Sequence, residues 1–142
     1  MKIRRLNIND YWELIRLWSK AGLPFKPKGR DSHGSIAKQM EANPDFFIGA
    51  FENEKLIGAV IASCDTRKGW INRLAVDPDF RHRGVAKALI AEAEKALRRR
   101  GIRIFCALIE NSNSASKELF RKCGYVEHHD IIYFSKRDSN DV

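Results

Sequence analysis

The sequence predicts a single α/β domain (α+β in the arrangement of its elements), with a central sheet of about six to seven strands flanked by about four helices. Three observations carry that expectation. Short apolar runs of strand length alternate with stretches in which apolar residues recur at helical spacing. Gly, Pro, Asn and Asp fall between those stretches rather than inside them, so the punctuation agrees with the periodicity. The length, 142 residues, suits one hydrophobic core, and neither an internal repeat nor a linker divides it.

Residues 3–6 read as a first strand at the edge of the sheet. Asn9 or Asp10 can cap the helix that follows, in which Trp12 and Ile15, and Leu14 and Trp18, recur at i+3 and i+4. Gly22 ends that helix, and residues 22–35, GLPFKPKGRDSHGS, form a loop rich in Gly, Pro and basic side chains. A second helix starts from Asp31 or Ser32 and stops before Pro44, because the residue preceding a proline avoids the helical region. Residues 46–51 and 56–62 are apolar runs joined through 52–55 as a hairpin, and 70–76 adds a third central strand after a turn at 67–69.

The clearest helix covers 84–100, where Val85, Leu89, Ala93, Ala96 and Leu97 form one stripe and Lys87, Glu94, Lys95 and Arg98 to Arg100 fall mostly opposite. Gly101 ends it, and the arginines of its last turn suit the negative end of the helix dipole. Residues 102–109 read as a buried strand and 113–122 as a helix with a Glu118/Lys122 pair at i, i+4, closed by Gly124. Two short strands, 125–126 and 131–134, finish the sheet. The expected organisation is one domain over 1–135 and a polar tail, 136–142, that frays.

Hydrophobic residues make up 44% and charged residues 31%, a globular balance that excludes a disordered chain. No apolar run approaches the length of a membrane span and the start does not read as a signal peptide, so a cytoplasmic protein without membrane partners is expected. Cys64, Cys106 and Cys123 are odd in number and in no C-x-x-C arrangement, which points to buried apolar thiols rather than disulfides or zinc. His33, His82, His128 and His129 show no ligand spacing, so no metal is expected. The net charge of +8 favours a negatively charged partner without choosing among nucleic acid, anionic cofactor and acidic substrate.

The stretch VDPDFRHRGVAKAL, residues 76–89, carries the chemistry. A strand leading through a short loop into a helix exposes main-chain N–H groups with no partner inside the helix, and these, backed by the helix dipole, bind phosphate oxygens. Gly84 lets a ligand approach the backbone, Ala86 keeps the second turn small, and Arg81, His82, Arg83 and Lys87 add charge. On pattern alone a solvated basic helix start is an equal reading. The spacing is neither G-x-x-x-x-G-K-[ST] nor G-x-G-x-x-G, which argues against nucleotide hydrolysis and dinucleotide binding.

Two motifs then point to one family. VDPDFRHRGVAKALI resembles the signature of the GCN5-related N-acetyltransferases (GNAT), in which a strand and V-x-P lead through [RQ]-x-x-G-x-[GA] into a long helix, with Arg81, Gly84 and Ala86 on the marked positions. NSASKELFRKCGY, residues 113–125, is similar to the family's N-x-x-x-x-x-L-[YF]-x-x-x-G-[FY] helix and begins 32 residues after Arg81. The resemblance implies a mixed, mostly antiparallel sheet splayed in the middle, and transfer of an acetyl group from acetyl-coenzyme A to a primary amine by direct attack on the thioester. It implies that the pyrophosphate lies on the amides of Arg83, Gly84, Val85, Ala86 and Lys87, with Arg81 and His82 lining the approach. It places the pantetheine arm on Leu74, Ala75 and Val76, and Asn113, Phe120 and Lys122 on the arm's other side. A backbone N–H of Leu74 or Val76 is the expected oxyanion donor.

One position departs from the family. Phe120 stands where many members carry a tyrosine as the presumed acid, so Tyr125 and Tyr133 are the substitute candidates, with unassisted departure of the thiolate as the alternative. Glu110, at the end of the strand facing the cofactor strand, is the first candidate for the base, and Asn72 is a candidate to hold a water at the substrate. The resemblance locates the acceptor site at the first two helices, their connecting loop, here 22–35, and the last strands; Trp18 and Phe25 are candidate walls and Lys26, Lys28 and Arg30 a candidate attraction for an acidic acceptor, with a solvated loop of screened charges as the slightly favoured alternative. That acceptor is a protein N-terminus, a lysine or a small amine, and a homodimer is left open. The rival readings are a non-catalytic acyl-coenzyme A-binding module, motivated by Phe120, and nucleic-acid binding, motivated by Arg98 to Arg100; helix-end electrostatics already accounts for those arginines.

Overall fold

The computed structural model describes residues 1–142. In chain order the elements are β1 (Lys2–Arg5), α1 (Tyr11–Ala21), α2 (His33–Ala42), β2 (Phe47–Glu52), β3 (Lys55–Cys64), β4 (Gly69–Val76), α3 (Val85–Arg99), β5 (Phe105–Cys106) and α4 (Ser114–Lys122). Local chemistry sets most of the boundaries. Asp10 is the N-cap residue of the first α-helix, as expected, but makes no side-chain cap bond to it; the side-chain cap sits one turn earlier, where the Asn7 Oδ1 accepts from the Asn9 N–H and the Asp10 carboxylate accepts from the Asn7 N–H, both at 2.9 Å. A short 3-10 turn over Ile8–Asp10 then leads into α1. Ser32 caps α2 by accepting the Ser35 N–H at 3.1 Å, and Asn113 caps α4 through Ser116 at the same distance.

The sheet runs β1-β2-β3-β4-β5, antiparallel throughout except for β5, which lies parallel to β4. This is the mixed, mostly antiparallel sheet expected, but with five strands rather than six to seven. The expected strand over 102–109 contracts to Phe105–Cys106, which pair only with Gly69 and Trp70. Neither 125–126 nor 131–134 forms a strand. Ile131, Ile132, Tyr133 and Phe134 are 72%, 78%, 62% and 87% exposed, because apolar composition alone makes no strand without a neighbouring edge to pair with.

Both faces of the sheet are covered. On one, Leu14, Leu17 and Trp18 of α1 and Ile36 and Met40 of α2 pack on Phe47, Phe51, Leu56 and Ala59. On the other, Val85, Leu89, Ile90, Ala93 and Leu97 of α3 and Phe120 of α4 pack on Ile48, Ala50, Ile57 and Val60. Each such large side chain stabilises the fold by about 1.5–3 kcal/mol. Burial on both faces explains why the central runs read as continuously apolar. Within α1 the buried stripe is Tyr11, Leu14, Leu17 and Trp18, whereas Trp12, expected inside, is 72% exposed; adjacent aromatics at 11 and 12 cannot share one helix face. Gly58 on β3 sets how closely α3 can approach the sheet. A Cβ there would stand 2.8 Å from Val85 Cγ1 and 3.0 Å from Leu89 Cδ1, so its absence lets the first turns of α3 sit directly on the strands.

Candidate functional site

The site begins with an irregularity in β4. The β3–β4 register passes from Ile61↔Asn72 to Ala59↔Ala75, so Arg73 and Leu74 together oppose Val60. Arg73 takes φ 51, the left-handed region that costs a residue with a side chain about 1–2 kcal/mol. β5 pairs with β4 only as far as Trp70, so at the bulge the β5 side of β4 is open. Asp77 donates its N–H to the Ile57 carbonyl at 2.8 Å, and by the alternation of an antiparallel ladder Ala75 also faces β3. The N–H groups of Leu74 and Val76 therefore face the opened side.

Beyond the strand, none of the main-chain N–H groups of residues 81–87 donates a hydrogen bond within the protein; Ala88 is the first to do so, to the Gly84 carbonyl at 3.0 Å. His82 and Gly84 have φ 64 and 80 while Arg81 and Arg83 stay at negative φ, and such changes of backbone hand turn successive N–H groups toward a common side, which suits an anion. Gly84 is the N-cap of α3 with no side-chain cap, and a Cβ there would meet nothing within 4 Å, so the space in front of the helix is open. Arg81, His82, Arg83 and Lys87 are exposed. None of the four forms an ion pair, and the Arg83 guanidinium leans over the Phe80 ring at 5.1 Å.

Asp77 fastens this loop to the rest of the molecule. Its side chain is completely buried, accepts the Asp79 N–H at 2.9 Å and the Lys20 ammonium at 3.2 Å, and has Lys55 at 3.6 Å. Burial pushes its carboxyl up, but the Asp79 N–H and the two ammonium groups outweigh that and hold it below the ordinary carboxylate range. Lys20 also pairs with Asp79 at 2.9 Å and is raised above the ordinary lysine value by the Asp79 and Asp77 bonds. One buried carboxylate thus joins α1, β3 and the approach to α3.

On the α1 side of the bulge, the Arg73 guanidinium lies 4.2 Å from the centroid of the Trp18 ring and donates from Nη1 to the Pro24 carbonyl at 2.6 Å. Its Nη2 is 3.8 Å from the buried Asp31, whose carboxylate takes the Lys26 N–H at 2.7 Å. These contacts hold the 22–35 loop against β4. Trp18 is fully buried and forms no open wall; Phe25, with ring centroids 6.3 Å apart, covers it and presents the surface instead. Asn72 is partly exposed and donates from its amide to Ser63 Oγ at 3.0 Å. The tail, expected to fray, touches the body of the domain at two points: the Lys26 ammonium donates to the Asn140 carbonyl at 2.6 Å, and Asp141 packs against Gly29.

The remaining candidates divide. Glu110 is exposed and free of any ion pair. If the register Gly69↔Phe105, Trp70↔Cys106 is carried on, Glu110 comes level with Leu74 across the opening. Tyr125 faces elsewhere. Its hydroxyl donates to Glu94 of α3 at 2.6 Å, its ring meets Phe120 edge-on at 5.0 Å, and burial followed by the Glu94 bond pushes its phenol far above the ordinary value. Tyr125, Tyr133, Phe120 and Cys123 line a cavity of about 770 Å³ with Glu94 and Cys106, to which no residue of the β4 bulge or of 81–87 contributes. Cys123 lies within the fields of Glu94 and Lys87, and burial raises its thiol. Asn113 uses its Oδ1 as the α4 cap, and Lys122 is exposed with Glu118 at 3.8 Å. The sequence reading missed the roles of Arg73, Asp31 and Asp77; Asp31 was read only as a candidate helix cap, and Asp77 left a local trace in an Asp-Pro at a strand end.

With this geometry in view, comparison with known proteins is specific. The profile of the acetyltransferase (GNAT) family matches residues 11–125. An acetyltransferase of Photorhabdus laumondii subsp. laumondii is 33% identical over 96% of this chain and 95% of its own. One of Pectobacterium atrosepticum is 34% identical over the same shares. Among solved structures, the PaiA N-acetyltransferase of Thermoplasma acidophilum in complex with coenzyme A superposes with a TM-score of 0.72 at 26% identity, over 86% of this chain and 87% of that one. AAC(6')-Iy in complex with a coenzyme A bisubstrate analogue does so at 0.77 and 25%, over 96% and 97%. A splayed mixed sheet, a bulged fourth strand, an uncapped amide-rich helix start and two sets of relatives agree: the chain belongs to the acetyltransferase (GNAT) family.

Proposed function

We propose that the protein is a cytoplasmic acetyl-coenzyme A-dependent N-acetyltransferase that moves an acetyl group by direct attack of a primary amine, on a protein N-terminus, a lysine or a small molecule. The observation that carries this is the run of unpartnered amides from Arg81 to Lys87 at the end of a strand with a free edge. The residues fit coenzyme A: amide donors for pyrophosphate oxygens, Arg81, His82, Arg83 and Lys87 for its charge, and the free edge at Leu74, Ala75 and Val76 for an amide-bearing arm. Asn113, Phe120 and Lys122 would flank that arm from α4. Acetyl-coenzyme A, when bound, supplies a thioester whose acyl carbon is open to an amine.

The chain's own residues do the rest. The Leu74 N–H, facing the opened side, stabilises the developing oxyanion without having to reorient. Amines with a pKa near 10 arrive protonated, so a proton acceptor is needed, and Glu110, on the opposite lip of the opening, takes that role directly or through a water held by Asn72. Phe120 gives no proton, and Tyr125 is engaged with Glu94, so the thiolate, of pKa about 8.5 as a free thiol, leaves without a protein acid. Phe120 also motivates the second reading, a module that binds acyl-coenzyme A without turning it over. Incubation with acetyl-coenzyme A and a panel of peptides and small amines, read by mass spectrometry, separates the two: acetylated amine is expected, and coenzyme A binding with no acetylated product from any amine favours the module.

A further inference from the structure

We infer that the acceptor is a small amine that also carries a carboxylate or phosphate, and that Arg30 and Arg137 hold that anionic group. The amine end of this inference rests on the acetyl-transfer reading above; the anion site stands on its own geometry. A cavity of about 310 Å³ is lined by Pro24, Phe25, Lys26, Arg30, Arg137 and Asn140. Three of these six are cationic and none is acidic. The cavity adjoins the β4 bulge, because its wall residue Pro24 accepts from Arg73 at 2.6 Å and Phe25 lies over the ring that Arg73 stacks on. An amine reaching the opened side of β4 therefore has this cavity beside it.

Two of the three charges in the cavity are not used by the protein. The Lys26 ammonium is held by the Asn140 carbonyl, but neither the Arg30 nor the Arg137 guanidinium makes a hydrogen bond or ion pair. Of the acids nearby, Asp31 is buried and its carboxylate is bonded to the Lys26 N–H. Arg30 and Arg137 come from opposite ends of the chain, and like charges brought together repel unless an anion lies between them. A carboxylate or phosphate presents paired oxygens that match the guanidinium fork. The volume equals about ten water molecules, the low end for ligand cavities, which suits a small molecule. Aminoglycosides, which bring several ammonium groups, have the wrong charge for it.

Matched amines test this. Release of coenzyme A is followed with 4-aminobutyrate, phosphoethanolamine, butylamine and kanamycin for the wild type and for an Arg30→Gln/Arg137→Gln variant. In parallel, succinate and inorganic phosphate are titrated calorimetrically into the coenzyme A-loaded protein. One anionic amine is expected to exceed butylamine by about tenfold in kcat/KM, through KM, with kanamycin poorest, and the double variant brings the ratio to about one. Which of 4-aminobutyrate and phosphoethanolamine leads identifies the anion. Turnover without charge preference overturns the inference and leaves acetyl transfer standing. Succinate or phosphate binding that needs both arginines, with no amine turned over, supports the anion site and defeats acetyl transfer. Absence of both preference and anion binding overturns the inference. The two side chains are exposed and unpartnered, so the variant is expected to unfold at the wild-type temperature, which separates lost binding from lost fold.

Discussion

Replacing Gly84 by valine isolates the amide cradle from the charges around it. Gly84 holds φ 80, and a Cβ built on it meets nothing of the protein within 4 Å, so the substitution acts through the backbone and through the side chain it places in the space a ligand would use, not through a clash with the fold. Holding an L-residue in that region costs about 1–2 kcal/mol, with a β-branched side chain at the upper end. The free protein escapes the cost by letting the loop relax to negative φ, and a ligand that needs the curled loop must then restore it. The dissociation constant for coenzyme A is expected to rise by roughly 5- to 30-fold, since about 1.4 kcal/mol corresponds to tenfold. Arg81→Ala removes one exposed, screened charge of under about 1 kcal/mol and should weaken binding by less than about fivefold. Isothermal titration of coenzyme A into both variants gives the order directly. If Arg81→Ala loses more affinity than Gly84→Val, side-chain charge rather than fixed main-chain donors holds the pyrophosphate, and the cradle account fails.

Glu110→Gln is expected to lower kcat/KM by about a hundredfold with coenzyme A affinity unchanged, and an undiminished rate would remove Glu110 from the chemistry. Asp77 has its folded-state pKa held below the unfolded value, so its contribution is complete above the unfolded pKa of about 3.9 and is lost as the pH falls through the folded one. Asp77→Asn should accordingly lower the melting temperature at pH 7 by roughly 4–8 °C, the effect of ~2 kcal/mol in a chain of this size, and the gap should begin to narrow below about pH 4 and keep shrinking as the pH falls further; a gap that stays constant from pH 7 down to the onset of acid unfolding contradicts the assignment. Tyr125→Phe removes the bond to Glu94 and is expected to cost about 1 kcal/mol in thermal unfolding with kcat within about twofold of wild type. A hundredfold fall in kcat would return the phenol to the list of acids.

The four antiparallel strands and all four helices were legible because each carries its own evidence: caps at Ser32 and Asn113, stops at Gly22 and Gly101, and buried stripes at helical spacing. The amide-rich loop was legible for the same reason, since strand, loop and helix start are contiguous. What failed to show depends on partners distant in sequence. Residues 131–134 have the composition of a strand, yet pairing depends on an edge that β5 offers over only two residues. Trp12 and Ile15 recur at helical spacing on paper, but Tyr11 bonds to the Asp31 carbonyl at 2.7 Å and claims the inner face. Arg73 reads as a polar residue in a strand; its left-handed backbone and its place over Trp18 leave no mark in the local pattern. Arg137 and Arg30 share a cavity wall across nearly the whole chain, a juxtaposition beyond any periodicity.

The two-residue pairing between β4 and β5 bears on the order in which the molecule comes apart. β1 to β4 form a meander of neighbouring antiparallel strands, so their hydrogen bonds connect segments close in sequence. Residues from 102 onward attach mainly through the packing of Ile102, Phe105 and Phe120 on α3. That segment is the least protected cooperative unit, and its amides should exchange with solvent before those of β2 and β3. Its partial opening widens the same cleft beside Leu74 through which a long, thin ligand must enter. Access and local stability are therefore one equilibrium seen from two sides: a ligand clamped between β4 and the 102–134 segment slows exchange there, and a substitution that loosens the segment speeds both entry and escape.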